Sequence, residues 1–210
     1  MDLLPDNEII GRILKGERDL YAVLIRRYNQ RLYRTGMSMI GDDNELEDVM
    51  QVAYISAYEN LGKFEFKSSF ATWITRIMIN ECLLRIKRKK YSFVMNDELL
   101  DDNPHSFPAK TPLMNLMNLE LKNALETAIL QLPEKYRTVF VLREIEGMNI
   151  DETKTCLDLS EANVKVRLNR AKAMLRNQLS MLYKKEELLH FHLSRCDRVT
   201  AVVMSAIEKS

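Results

Sequence analysis

The residues best suited to chemistry in this chain are the cations and amides between Asn163 and Lys172. Lys and Arg side chains donate hydrogen bonds to phosphates and guanine, and Asn can pair with adenine through two hydrogen bonds. From residue 162 to residue 185 the sequence contains no acidic residue. Noncovalent binding of a nucleic acid is the chemistry that this pattern favours. The alternative is the solvated basic face of an ordinary pair of helices.

Two predicted helices joined by a short turn position these residues. Asn149 and Glu152 have the spacing of a capping box, which predicts a helix start, and Ser160 can cap the next helix. Four apolar residues recur on that helix with helical spacing: Val164, Leu168, Ala171 and Leu175. The basic residues lie largely off this apolar stripe. The same arrangement occurs in helix-turn-helix units, which place their second helix in the DNA major groove.

Composition indicates one large or two small domains in 210 residues. The 31 Lys and Arg nearly balance the 30 Asp and Glu, but the charges are segregated into blocks that set local fields. Scarce Gly and Pro favour an all-helical protein. No apolar run approaches a membrane span, and the acidic N-terminus does not resemble a signal peptide. Three scattered cysteines indicate reduced thiols and a cytoplasmic protein.

Helical periodicity covers most of the chain in separate segments. It predicts a helix over residues 20–39, another from residue 45 for four turns, and a third from residue 70 into a basic end. A loop over residues 62–69 carries two aromatic residues. Residues 96–112 are polar, acidic and rich in Pro, as in a linker. Periodicity returns at residue 116, Pro133 suits the first turn of the following helix, and that helix stops at Gly147.

Several motifs occur in an order that is specific to one family. They are RRYNQRLYR (Arg26–Arg34), EDVMQ (Glu47–Gln51), FEFKSSFATWITRIMIN (Phe64–Asn80), LPEKYRTVFVLREIEGMNIDE (Leu132–Glu152) and NVKVRLNRAK (Asn163–Lys172). With these motifs the chain resembles the bacterial extracytoplasmic-function (ECF) sigma factors, which are promoter-specificity subunits of RNA polymerase. The resemblance covers nearly everything from Leu20 to Leu182 apart from the linker.

The resemblance implies an all-α protein of two small helical domains, a flexible acidic linker and a helical tail. Residues 1–92 would form sigma domain two, which binds core polymerase and recognises and melts the −10 element. Residues 93–113 would be the linker. Residues 114–183 would form sigma domain four, whose helix-turn-helix recognises the −35 element. Residues 184–210 would be a C-terminal extension.

The resemblance also implies contacts with core polymerase, at its β′ clamp helices and its β flap. Asp48 and Gln51, with Glu47 nearby, match the acidic helix that docks on the positively charged β′ helices. Charge complementarity of this kind speeds and orients association. Val52 stands where the family usually has a carboxylate. The alternative role of these acids is stabilisation of a helix N-terminus.

For the −10 element, the resemblance implies a pocket that holds a base flipped out of the non-template strand. Phe64, Phe66, Ser68 and Ser69 would build this pocket, and Asn80 would hydrogen-bond a base edge. The cations that would hold phosphates are Lys87, Arg88, Lys89 and Lys90. The alternative is a solvated helix end, and Phe70, Trp73 and Ile77 are expected in the core.

For the −35 element, the groove-facing positions of the family fall on Lys165, Val166, Asn169 and Arg170. Asn163 lies near the helix start, where threonine is common, and Lys172 follows on the same helix. Arg137, Arg143 and Arg167 are better suited to clamp phosphates. The turn reads Leu-Asp-Leu-Ser where a glycine is usual.

The family further implies promoter DNA and an anti-sigma factor as partners, without direct membrane insertion. Linker acids would mimic RNA charge, or belong to a plain disordered linker: Asp97, Glu98, Asp101 and Asp102. The tail is expected to form an amphipathic helix packed on the second domain. His190, His192 and Cys196 are possible metal ligands, but three candidates without a fourth do not predict a zinc site.

No catalytic residues, cofactor or metal are predicted, because the sequence lacks a nucleophile–base pair, a phosphate-binding Gly loop and a buried acid pair. Two other functions stay open. One is an autonomous helix-turn-helix regulator of transcription. The other is a non-catalytic module that sequesters polymerase or an anti-sigma factor.

Overall fold

The computed structural model describes residues 4–96, 116–182 and 193–207, and every regular element in these ranges is helical. The all-α prediction is therefore confirmed. A π-helical turn, Val141–Ile145, continues α6, and 3₁₀ turns lie at Arg18–Leu20 and Leu61–Lys63. The helices are α1 (Asp6–Leu14), α2 (Tyr21–Met37), α3 (Asp43–Glu59), α4 (Phe70–Asn96), α5 (Leu116–Leu130), α6 (Glu134–Phe140), α7 (Ile150–Leu157), α8 (Glu161–Leu182) and α9 (Leu193–Ile207).

Side-chain caps set several helix starts. The Asp42 carboxylate accepts a hydrogen bond from the Glu45 amide at 2.9 Å and begins α3.

Pro133 lies just before α6 rather than in its first turn, with φ of −54°. After the π-helical turn, Gly147 has φ of +66°, a left-handed conformation that glycine adopts without strain. The predicted stop at Gly147 is confirmed.

Helices α2, α3 and α4 pack closely around one apolar core. Leu32, Leu46 and Met78 are fully buried there. Gly36 on α2 permits this approach, because a Cβ at that position would stand 2.2 Å from Leu46 Cδ1 and 2.5 Å from Met78 Cε. The loop before α4 and the acidic start of α3 are therefore held on a rigid base.

Helix α1 was not predicted from the sequence. Ile9 and Ile10 are fully buried and Ile13 nearly so, and all three belong to the core of α2–α4. The Asp6 carboxylate forms an ion pair with Arg27 and accepts a hydrogen bond from the Tyr28 hydroxyl. Burial first, and then this hydrogen bond, raise the pKa of Tyr28.

The helix-turn-helix elements pack against the first four helices in one compact unit, Met1–Leu175. Helix α7 lies against α4, and Leu142, Met148 and Cys156 belong to the same buried cluster as the core of α1–α4. The predicted domain boundaries at residues 92, 113 and 183 stay predictions.

The second unit is Arg176–Ser210. It contains the end of α8 and the whole of α9. Several apolar side chains of α9 are at least half exposed: Val199, Val202, Val203, Met204 and Ile207. A helix in the tail is confirmed, and its packing on the second domain stays a prediction. None of the described helices has the length and apolar composition of a membrane span.

Candidate nucleic-acid interface

The turn between α7 and α8 is built as the sequence predicts. The Asn149 side chain accepts from the Glu152 amide at 2.9 Å, and the Glu152 carboxylate accepts from the Asn149 amide at 2.8 Å. This reciprocal pair is a complete capping box. Asp158 ends α7 with φ of +51°, in the left-handed region that Asp tolerates. The Ser160 hydroxyl then accepts from the Asn163 amide at 3.3 Å.

Helix α8 has one buried and one exposed face. Val164 and Ala171 are fully buried, Leu175 is nearly so, and Leu168 is half-buried. The proposed −35 residues on the opposite side are exposed: Asn163, Lys165, Val166, Asn169, Arg170 and Lys172. The predicted stripe is confirmed, and the polar face is free of core packing.

Three cations on this face have partners within the chain. Arg170 donates to the Tyr136 hydroxyl at 3.2 Å, which lowers the pKa of Tyr136. Lys172 Nζ lies 2.9 Å from a carboxylate oxygen of Glu144, and Lys165 pairs with Glu161 at 2.5 Å. Exposed ion pairs of this kind contribute little stability. Lys165 and Lys172 are therefore held only weakly by their carboxylate partners.

Two of the three expected phosphate clamps donate hydrogen bonds to the protein backbone. Arg137 donates to the carbonyls of Ser38 and Leu130, and burial lowers the pKa of Arg137. Arg143 donates to the carbonyl of Met148. Arg167 is half-buried on α8. The role of Arg137, Arg143 and Arg167 as phosphate clamps stays a prediction.

The loop before α4 separates its two aromatic residues. Phe64 is buried, with ring centroids 5.1 Å from Trp73 and 5.8 Å from Phe70. Phe66 is 54% exposed and lies 4.6 Å from the Phe64 ring. Its φ of +57° is rare for a bulky residue and costs energy that the surrounding structure must supply. The exposed ring thus lies against a buried aromatic cluster.

The two serines of this loop are exposed. The Ser69 hydroxyl accepts from the Thr72 amide at 3.1 Å and caps α4, a role that the sequence analysis did not assign. The spacing from Ser69 to Thr72 was the available signal. A base held by this loop would compete with that cap for the Ser69 hydroxyl, whereas Ser68 has no such role.

The predicted phosphate-binding side of α4 is exposed at Asn80, Lys87, Arg88, Lys89 and Lys90. Glu45 on α3 accepts hydrogen bonds from Arg85 at 2.8 Å and from Lys89 at 3.1 Å. Burial works to raise the pKa of Glu45, but these two cations outweigh it, and the pKa lies below its usual value. Glu45 therefore ties the acidic helix to the basic one, and a short motif could not reveal this pairing.

The acidic face of α3 carries the proposed polymerase-binding residues. Glu47, Asp48 and Gln51 are all exposed. Beside them, Val52 and Ile55 are 50% and 59% exposed. The surface therefore combines negative charge with apolar area, as protein interfaces commonly do.

Some predicted residues fall outside the described part of the chain. They are His190, His192 and the linker acids, and the side chain of Cys196 is likewise not described. Among the described residues, no three His, Cys, Asp or Glu side chains are grouped as a metal would need. Burial raises the pKa of both Cys82 and Cys156 to about 12, so these thiols are poor nucleophiles.

Family models match both parts of the chain. Sigma-70 region 2 matches residues 24–91, and Sigma-70 region 4 matches residues 122–175. The ECF RNA polymerase sigma factor SigW of Bacillus subtilis is 32% identical over 176 residues, covering 81% of this chain and 94% of the relative. The ECF RNA polymerase sigma-E factor of Escherichia coli is 28% identical over 190 residues, covering 87% and 98%.

Two solved structures share the fold. The sigma factor RpoE of Bartonella quintana, in complex with the anti-sigma factor NepR, has a TM-score of 0.64 at 18% identity and covers 76% of this chain and 96% of its own. CnrH, in complex with the cytosolic domain of CnrY, has a TM-score of 0.58 at 24% identity and covers 84% and 97%.

Proposed function

Because this chain belongs to the ECF sigma factors of RNA polymerase, we propose that α1–α4 bind core polymerase and open the −10 element while α8 reads the −35 element. The observation that best supports this proposal is that α8 has two different faces. Val164 is buried on one face, and Asn169 and Arg170 are exposed on the other. We retain residues 1–92 as sigma domain two, 93–113 as linker, 114–183 as sigma domain four and 184–210 as an extension.

The exposed acids of α3 support polymerase binding. Glu47 and Asp48 meet the basic β′ clamp helices, Gln51 adds a hydrogen-bonding group, and the second domain contacts the β flap more weakly. Opposite charges steer the two surfaces together. Exposed Val52 and Ile55 supply apolar area that shields these contacts from water.

The loop before α4 supports opening of the −10 element. A flipped base stacks on Phe66, with Phe64 beneath it, and Ser68 and Ser69 provide polar edges. Asn80 lies further along the helix, where it reaches a base edge. Phosphates of the exposed strand follow the cations from Lys87 to Lys90, as single strands follow basic grooves.

The recognition helix supports reading of the −35 element. Asn169 pairs with a base edge, Lys165 and Arg170 donate to guanine or phosphate, and Val166 contacts a thymine methyl.

Asn169→Ala is expected to weaken promoter binding by holoenzyme about tenfold, since one bidentate pair is worth about 1–3 kcal/mol. The control is Asn177→Ala, which removes an exposed amide further along α8 and should leave binding unchanged. Equal effects of the two changes would contradict this assignment.

The protein's other partners follow from the same assignment. Promoter DNA and core polymerase are its ligands, and an anti-sigma factor that covers the polymerase-binding surfaces is its regulator. It performs no catalysis itself and acts in the cytoplasm, where polymerase transcribes. It needs no cofactor or metal.

A run-off transcription assay tests this function. Core polymerase is incubated with genomic fragments of the source bacterium, with and without the full-length protein. Discrete transcripts that require both components are the expected result. Duplex binding without polymerase would instead favour the autonomous regulator, and polymerase binding without transcripts would favour the sequestering module.

A further inference from the structure

Tyr136 on α6 contacts Arg170 on α8. Tyr136 is 9% exposed, and its hydroxyl accepts a hydrogen bond from Arg170 Nη1 at 3.2 Å. Buried tyrosine hydroxyls usually have a hydrogen-bond partner. Here the partner is an exposed cation on the helix proposed to read the −35 element. The contact therefore links a nearly buried side chain to one that is proposed to meet DNA.

The start of α6 holds Tyr136 in one place. Arg137 donates to the carbonyl of Leu130 at 2.5 Å, which ties α6 to the end of α5. Val139, one turn further along α6, is fully buried. Lys135 Nζ lies 5.0 Å from the centroid of the Tyr136 ring, a cation–π contact that favours this arrangement of the two side chains. The Tyr136 hydroxyl is therefore a fixed hydrogen-bond acceptor.

Arg170 is held at both ends of its side chain. Its neighbour Ala171 is fully buried in the apolar stripe of α8, which fixes the backbone of Arg170 against the core. Tyr136 holds the guanidinium, and this hydrogen bond is the largest cause that lowers the pKa of Tyr136. Long side chains lose conformational freedom when they bind a partner. A guanidinium that is already held in place loses less.

The two lysines on the exposed side of α8 are held differently. Lys165 pairs with Glu161, and both side chains are more than half exposed. Lys172 pairs with Glu144, and these side chains are 45% and 36% exposed. Such exposed pairs hold their side chains weakly. Among these three described cations, Arg170 alone has a buried partner, so the fold sets the direction of Arg170 more firmly than that of either lysine.

A guanidinium with a fixed plane is suited to reading a base. The contact with Tyr136 uses one N–H group of Arg170, and the other N–H groups have no hydrogen-bond acceptor within the described part of the chain. Two of them can donate in parallel to O6 and N7 of guanine. Contacts with phosphate carry no sequence information. Orientation of the guanidinium therefore matters more for choosing a base than for attracting the DNA backbone.

We propose that Tyr136 is a positioning residue that directs Arg170 toward a guanine of the −35 element and so sets the base preference at one position. The inference rests on the proposed function, in which α8 reads that element. It assigns Arg170 to a base rather than to a phosphate. Tyr136 acts through Arg170 and does not touch DNA itself.

Selection from a promoter with a randomised −35 element tests this inference. Holoenzyme is formed with the full-length wild-type protein, Arg170→Ala or Tyr136→Phe, and the base preference at each position is read from the bound fragments. Arg170→Ala should lower the preference for guanine about tenfold at one position. Tyr136→Phe should lower it about threefold or more at that same position, because the guanidinium is no longer held, and should leave the other positions unchanged.

Tyr33→Phe is the matched control. It removes a tyrosine hydroxyl that donates to Asp43 at 2.7 Å, away from α8, and should leave every base preference unchanged. In an Arg170→Ala background, adding Tyr136→Phe should cause no further change at the selected position, because the two residues act through one contact. Equal loss of preference at all positions would show that Tyr136 only supports the fold, and it would overturn the inference.

These outcomes separate the two proposals. If wild-type holoenzyme selects no −35 sequence, the proposed reading by α8 is overturned, and this inference with it. If the wild type selects a sequence and either Arg170→Ala or Tyr136→Phe leaves its guanine preference unchanged, the inference alone is overturned.

Discussion

At the scale of single residues, Phe64 and Phe66 show how one loop places one aromatic side chain in the core and another at the surface. Both are aromatic and two positions apart, but Phe64 is 7% exposed and Phe66 is 54% exposed. The sequence predicts an aromatic loop without distinguishing the two, because an irregular segment has no periodicity that marks an inner face. Phe66 also has a positive φ, which no local sequence pattern predicts for a bulky residue.

Replacing each of these rings with Ala should separate the two roles. Phe66→Ala should leave the free energy of unfolding nearly unchanged but reduce promoter opening, since stacking on one base contributes about 1–3 kcal/mol. Phe64→Ala should cost about 3–5 kcal/mol of stability. Urea unfolding and transcription by both variants are the measurements. A large loss of stability with Phe66→Ala would contradict the assignment.

Glu45 predicts a specific dependence of stability on pH. Its pKa in the folded chain lies below its usual value of about 4.3, so its pairing with Arg85 and Lys89 stabilises the folded state above that pH. This contribution is lost as the pH falls through the lower pKa. Urea unfolding should show Glu45→Gln less stable than wild type at neutral pH, and the difference should shrink as the pH falls through the lowered pKa of Glu45. Glu59→Gln, an exposed change on the same helix, should show no such convergence.

At the scale of elements, local signals predicted the helix-turn-helix well. Asn149, Glu152 and Ser160 act within three residues of their partners, so their spacing was sufficient evidence. Helix α1 was missed because nine residues are too few to show a clear helical repeat of apolar side chains. Its helix depends on tertiary burial of Ile9 and Ile10.

Two glycines on different helices should respond oppositely to the same substitution. Gly36→Ala should destabilise by about 1–3 kcal/mol, because the new Cβ overlaps Leu46 and Met78 in a filled core. Gly11→Ala on α1 meets nothing within 4 Å and should stabilise by about 0.5–1 kcal/mol through helix propensity. Thermal and urea unfolding measure both changes. Stabilisation by Gly36→Ala would show that α2, α3 and α4 pack less closely than described.

At the scale of the whole molecule, the sequence could not predict which distant residues pair. Arg137 was expected at phosphates, but its partner is the Ser38 carbonyl, 99 positions away. Glu146 was assigned no role, and its partners lie on α2. Long-range pairs leave no local spacing in a single sequence. The family motifs nevertheless fall within the two parts of the chain that the sigma-70 region 2 and region 4 models match, residues 24–91 and 122–175.

We expect this chain to open promoters together with core polymerase. Permanganate reactivity of unpaired thymines on genomic promoter fragments measures opening directly, with core polymerase alone, the protein alone and both together. Reactive thymines around the −10 element are expected only when both are present. Reactivity that is absent with both, or present with polymerase alone, would show that this chain does not open promoters with polymerase.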